Sequence, residues 1–266
     1  MNRRAFTAIS LALGLGLAAP AWSEDKPVID QIKETKVLRV GLGTFVPWAF
    51  VNKDGALVGF EVDVATRLAA DLGVELELVP TAWDAIIPSL VAGQFDVVIG
   101  GLTITEERAQ TVDFTKPYEH SQTYVVVNAN VAPEITTLEQ VNAAGVTISA
   151  RRGSSANPQA FFPQATALLF DDENMQIQEF FNGNAKAIFT STPTPALLVE
   201  RDPALARILE PAVSQSDEAF ALRKGDPASQ AAFNDWIDAR WADGFLTERY
   251  DYWFKGRDWA AQVAPE

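Results

Sequence analysis

Two short segments carry residues that could hold an anion. Thr103-Ile104-Thr105-Glu106 reads as a capping box opening a helix, whose free amides and partial positive charge favour a negative group. Arg108, one turn further on, can fold back and grip a carboxylate through both guanidinium arms. Spacing alone leaves a second reading open, in which Arg108 pairs on the surface with Glu106 or Glu107. In Arg152-Gly153-Ser154-Ser155 the glycine lets the backbone approach a ligand, and hydroxyls and amides can donate. A solvated turn would show the same residues. Phe45, Trp48 and Trp83 fall in or beside loops after strands, where aromatic faces could sandwich a ligand, although taken singly such residues are more often core. His120 lacks a recognisable nucleophile and an orienting partner, so it reads as a structural hydrogen-bonder and not as a catalyst.

Composition removes much other chemistry. Zero cysteines exclude disulfides, thiolate metal sites, cysteine nucleophiles and a lipid-modified cysteine anchor. A single histidine leaves no multi-histidine metal site, so neither metal nor cofactor is expected. With 21 Lys+Arg against 35 Asp+Glu the net charge is -14, which repels phosphate backbones and anionic lipid. No nucleic-acid partner is therefore expected. A length of 266 residues corresponds to about two domains, and 48% apolar residues suffice for a folded core.

Residues 1–23 read as a secretory signal. Arg3 and Arg4 precede an apolar stretch from Ala8 to Ala19, and Ala21-Trp22-Ser23 offers a cleavage site before Glu24. That apolar stretch is too short for a membrane span, which needs roughly 20 residues. Arg3-Arg4-Ala5-Phe6 is also a weak match to a twin-arginine export signal. An exported, acidic chain without an anchoring cysteine is expected in the periplasm of a double-membraned bacterium.

The elements that must position these residues alternate. Val37–Gly41 reads as a buried strand, and apolar positions 64, 65, 68, 69 and 72 predict a helix over Phe60–Leu72 ended by Gly73. Val74–Val79 alternates as a half-solvated strand, and a short helix capped by Asp84 follows. Phe95–Ile99 is a further strand. The pattern restarts with strands at Val146–Ala150, Ala167–Phe170 and Ala187–Phe189, a helix over Glu173–Phe181, and a turn at Ser191-Thr192-Pro193-Thr194-Pro195. Two α/β halves with a mostly parallel sheet imply two lobes facing a cleft, with ligand beyond the carboxyl ends of the strands. The expected crossings between lobes are Thr123–Asn128 and Glu218–Leu222.

As an ordered set these motifs resemble the family-3 solute-binding proteins, the periplasmic amino-acid receptors of ABC importers. LRVGLGTFVPWAF, GFEVDVA, WDAIIPSL, FDVVIGGLTITEER, RRGSSA, ALRKGDP and WADGFLTERYDYWF carry the resemblance across nearly the whole mature chain. It implies an α/β, type II periplasmic-binding-protein fold with a double-crossover hinge and interlobe cleft. Lobe 1 would comprise 24–122 and 223–266, lobe 2 129–217, and the hinge crossings 123–128 and 218–222. Hinge closure of periplasmic binding proteins is one of the established modes of domain motion. The resemblance makes Phe45 and Trp83 aromatic walls and Arg108 the α-carboxylate ligand, with Thr103 and the Gly101 backbone beside it and Ser155 closing from lobe 2. It also implies a monomer that captures a small carboxylate-bearing solute, an amino acid or related acidic or zwitterionic compound, and delivers it to a membrane permease.

Two departures stand out. The family's ammonium-binding aspartate is replaced by Ser191, so another acid, such as Glu119, Asp171 or Asp172, must supply the countercharge, or the ligand is not an ordinary α-amino acid. Arg152 stands where the family often has an uncharged residue, and two cleft arginines would favour an acidic ligand. Cyclohexadienyl dehydratase, an enzyme resembling these receptors, places a catalytic acid where this chain has Thr194, whose hydroxyl has no suitable pKa. A non-enzymatic receptor is the expectation; the dehydratase and a sensory ligand-binding protein are the alternatives.

Overall fold

The computed structural model describes residues 26–256 and 258–263; the expected signal segment lies outside them. In β1 (Val37–Leu42) the side chains of Leu38, Val40 and Leu42 are fully buried. A small hairpin, β2 (Phe50–Val51) and β3 (Leu57–Val58), then leads into the helix Phe60–Leu72. That helix buries Phe60, Val64, Ala65 and Leu68, the i, i+4 stripe the spacing predicts, and ends at Gly73 with φ 66°. Such a crossover is what a parallel pair needs, and β4 (Glu75–Pro80) lies parallel to β1, with β5 (Val97–Val98) parallel on its other side.

The chain then runs into β6 (Val112–Asn128), a strand of 17 residues serving both lobes. The second lobe adds β7 (Thr147–Arg151), β8 (Thr166–Phe170), β9 (Ala187–Ser191) and β10 (Ala206–Ile208) before β11 (Ser214–Arg223) returns antiparallel along β6. The order β4-β1-β5-β11-β6-β9-β7-β8, with β10 on β6, makes one curled mixed sheet. The sheet is thus less parallel than expected: β1, β4 and β5 are mutually parallel, as are β7, β8 and β9, and the two sets are joined by antiparallel strands. Thr123–Val127 already pairs with β9, while β11 breaks register between Glu218 and Ala221. Each lobe has its own core, the first around Phe60, Phe95 and Phe220 and the second around Val127, Ile148 and Phe189. The helix Pro227–Ala242 returns to lobe 1, burying Phe233 and Ile237 there.

Where β6 and β11 leave lobe 1, three buried glutamates meet with little basic compensation. The Tyr118 hydroxyl donates to Glu61 at 2.7 Å and accepts from the Gly101 amide at 2.9 Å. Burial pushes the Glu61 carboxyl up to about 8, against the pull of that hydroxyl. Burial, followed by the charges of Glu218 and Glu61, holds Glu119 well above the ordinary carboxylate range. Glu218, opposite Glu119 in the ladder, is raised by burial and held back by the Ser121 and Thr103 hydroxyls.

A carboxyl protonated in the fold and ionised in the unfolded chain makes the folded state bind more protons. Stability then falls with rising pH between the ordinary glutamate value and the folded one, by up to about 1.4 kcal/mol per pH unit for each such group. Urea unfolding is accordingly expected to show stability declining from about pH 5 to about pH 8, the upper edge set by Glu61. Glu61→Gln should flatten that decline; an unchanged slope would assign the protons elsewhere.

Candidate functional site

The turns at the carboxyl ends of β1 and β4 bring the aromatic wall together. After β1, Phe45 exchanges two backbone hydrogen bonds with Ala49, closing a tight loop that holds Phe45 and Trp48 with ring centroids 5.8 Å apart. Trp83 opens a single helical turn after β4 and meets Phe45 edge-on, centroids 5.8 Å apart. A Cβ at Gly43 would lie 2.7 Å from the Trp83 ring, so only glycine lets the chain pass beneath the indole. Asp84 lies inside that turn, and no side chain caps the helix Ile86–Val91 that follows, unlike the expected Asp84 cap.

The anion loop is also shifted. Thr105, not Thr103, caps the four-residue helix Glu106–Ala109 by accepting from the Arg108 amide. This frees Thr103 for the interlobe cleft, and Arg108 folds back to donate to the Thr103 carbonyl at 2.8 Å. Its other arm donates across the cleft to the Gly153 carbonyl at 2.9 Å. Neither Glu106 nor Glu107 pairs with it. A second interlobe contact joins the Thr103 and Ser155 hydroxyls at 3.1 Å.

A cavity of about 60 Å³ remains between the lobes. Phe45, Trp83, Gly101, Thr103 and Arg108 line it from lobe 1, and Ser155 and Ser191 from lobe 2, so seven of the eight expected positions converge. The Gly101 amide, however, is taken by Tyr118. Arg152 is the exception: it points away from the cavity and pairs with Asp171 at 2.6 Å, both side chains well exposed. Its neighbour Arg151 enters instead. Side chains alternate in direction at the end of a strand, and β7 ends in the phase that turns residue 151 inward. The Arg151 guanidinium sits in the corner formed by the two near-perpendicular rings, 4.2 Å from the Phe45 centroid and 4.3 Å from that of Trp83. Burial lowers its pKa, opposed by the charges of Glu173 and Asp172, and an arginine remains cationic throughout.

None of Glu119, Asp171 and Asp172 supplies acid to this cavity. Asp172 caps the helix Glu173–Phe181, and Glu119 faces the buried cluster behind the cleft. The acids lining it are Glu173 and Glu218. Glu173, the first residue of its helix, accepts from the Thr194 hydroxyl at 3.2 Å and the Thr190 hydroxyl at 3.4 Å. Part of the residue is exposed, yet its carboxyl is set among protein atoms and burial raises its pKa, partly offset by Arg151. Glu218 Oε1 accepts from Ser121 at 2.5 Å and Thr103 at 3.2 Å, while Oε2 is buried without a partner. Trp83 Nε1 is likewise buried and unpartnered. Thr194, read as part of a turn, begins the helix Thr194–Arg201. His120 is exposed and bonds Asp217 at 2.7 Å.

Two α/β lobes closed on a polar cleft through an arginine and a hydroxyl pair are the geometry of a solute receptor, and the chain's relatives agree. The family model for bacterial extracellular solute-binding proteins, family 3, matches residues 38–256. The chain belongs to that family. It is 31% identical to the L-cystine-binding protein TcyJ of Escherichia coli (strain K12) over 260 residues, covering 96% of each chain. It is 27% identical to the cyclohexadienyl dehydratase of Pseudomonas aeruginosa, covering 91% of each. Among solved structures, the ancestral amino acid-binding protein AncCDT-1, a precursor of cyclohexadienyl dehydratase, superposes with a TM-score of 0.80 at 34% identity. That match covers 85% of this chain and 99% of the other.

Arg151, Glu173 and Glu218 were missed in the sequence. Alternation in Ser214-Gln215-Ser216-Asp217-Glu218, with 215 and 217 exposed, is the signal that would have found Glu218. The position of Glu173, just beyond a strand's carboxyl end, would have suggested it.

Gly43→Ala is expected to force Trp83 from its place and cost about 1–3 kcal/mol of stability. Chemical denaturation followed by tryptophan fluorescence checks this; an unchanged midpoint would mean the indole moves aside freely.

Proposed function

We propose that this family-3 protein captures a small amino-acid-like carboxylate between its lobes and delivers it to an ABC permease, without catalysis. The carrying observation is Arg108. It lines the cavity, is held by two carbonyls from opposite lobes, and has no acid paired with it among the described residues. A ligand carboxylate there gains a charge-assisted bond and draws Thr103 and Ser155 together. The unpartnered Glu218 oxygen offers an acceptor for a ligand ammonium, in place of the aspartate missing at Ser191. The relatives' names, an L-cystine-binding protein and an ancestral amino acid-binding protein, support an amino-acid ligand. We place the protein in the periplasm as an exported monomer, with the outer faces of both lobes near the cleft mouth meeting the permease.

One observation favours a second reading. Glu173 sits against Thr194, where the dehydratase resemblance expects an acid, and burial raises its pKa. Formation of phenylpyruvate from prephenate by the purified protein, lost in Glu173→Gln, would establish that activity; none would leave the receptor.

The mature chain, refolded to remove carried-over solute, is expected to shift its melting temperature with one member of a panel of amino acids, dicarboxylates, keto acids and betaines. Saturation at 1,000 times the dissociation constant adds about 4.1 kcal/mol, or many degrees for a chain of this size. Arg108→Ala should weaken binding by about 2–5 kcal/mol; near-native affinity would remove Arg108 from the site.

A further inference from the structure

We propose that Arg151 selects the ligand: its guanidinium takes a second anionic group, so the preferred solute is an α-amino acid bearing a second carboxylate, and cationic side chains are turned away. This rests on the carboxylate-binding reading of the cleft given above.

The Phe45 and Trp83 rings, set nearly perpendicular to each other, flank the Arg151 guanidinium on two adjacent sides, at 4.2 and 4.3 Å from their centroids. Its donors lie in the guanidinium plane, and a planar fork suits a carboxylate. Among the described residues those donors make no hydrogen bond and no ion pair. Arg108 likewise donates only to neutral carbonyls.

The acids of the cleft are in the opposite condition. Glu173 is met by the hydroxyls of Thr190 and Thr194, and Glu218 Oε1 by those of Ser121 and Thr103. The protein therefore answers one oxygen of each cleft carboxylate with its own hydroxyls and gives neither cation a hydrogen-bonded anion, although the charges of Glu173 and Asp172 reach Arg151 and that of Glu218 reaches Arg108. Glu218 Oε2 is buried without a partner, which suits one ammonium, while Glu173 accepts through Oε1 alone. Two cationic poles beside one buried free acceptor suit a solute with two carboxylates and at least one ammonium. The α-head would lie between Arg108 and Glu218 and the distal carboxylate at Arg151. A lysine- or arginine-like side chain seeking the aromatic slot would find it filled by a like charge, which repels it.

Isothermal titration of the mature protein with L-glutamate, L-aspartate, L-glutamine, L-asparagine and L-arginine tests this. Wild type should bind at least one acid about tenfold or more tightly than its own amide, and L-arginine not at all. Arg151→Gln should bring acid and amide within about threefold of each other by weakening the acid. Arg151→Lys, which keeps the charge without the planar fork, should retain part of the preference and guards against misfolding of the glutamine variant. Arg108→Ala should weaken every ligand that binds. Amides bound as tightly as acids, L-arginine bound best, an Arg151→Gln ratio equal to wild type, or no binding of either acid would each overturn the role of Arg151. Amide or arginine binding that still depends on Arg108 would leave the amino-acid receptor standing while this inference falls; binding indifferent to Arg108 would bring down both.

Discussion

The pairing of β6 with β11 is the constraint on which the cleft depends. These two strands are the only continuous backbone shared by the parallel sets of the two lobes in the described chain, and their antiparallel ladder runs from Val112–Arg223 in one lobe to Thr123–Ser214 in the other. Because the ladder is unbroken in direction, the carboxyl ends of β1 and β4 are made to face those of β7 and β9 across a single gap. The loops after those strands then face each other. The aromatic wall, the Arg108 loop and the serines of 154–155 are products of that placement more than of any local sequence preference. The register breaks between Glu218 and Ala221 lie in the same ladder, where β-bulges bend a strand and increase its twist. The acid with the free oxygen is thus built into the segment that sets the angle between the lobes.

Electrostatics explains why the cleft looks unfinished. A buried charge must be paired or richly hydrogen-bonded to be tolerated. The chain meets that demand unevenly: acids by hydroxyls, Arg108 by carbonyls, Arg151 by aromatic faces. Cation–π contact is worth about 0.5–2 kcal/mol, enough to hold a guanidinium in place and less than a fully bonded carboxylate supplies. Behind this layer the Glu61–Tyr118–Gly101 chain fixes the backbone of the cleft floor, at the cost of keeping an acid in dry surroundings.

The periodic elements were legible in the sequence because their cause is local. Phe60–Leu72 and Glu173–Phe181 end where the apolar spacing and Gly73 or Asn182-Gly183 place them. The length of β6 was not legible: Lys116, Pro117 and Glu119 interrupt any strand pattern, and pairing with β11 up to Thr123 and with β9 and β10 beyond it keeps the run extended. The site divided in the same way. Arg108, Thr103, Phe45 and Trp83 sit in motifs whose spacing carries meaning. Choosing between Arg151 and Arg152 required the phase of a strand end, which one residue reverses. Glu173 and Glu218 are far apart in sequence and meet only through topology.

Both ends of the described chain are secured to the same lobe. The amides of Val28 and Ile29 donate to Asp226 and Ser229 at the start of the last long helix, and Asn52 pairs with Val263. Attaching the molecule to a solid support, a fluorophore or a fusion partner through either end therefore loads lobe 1 alone. The other lobe carries no part of that attachment, so an immobilised or labelled molecule presents its second half unencumbered.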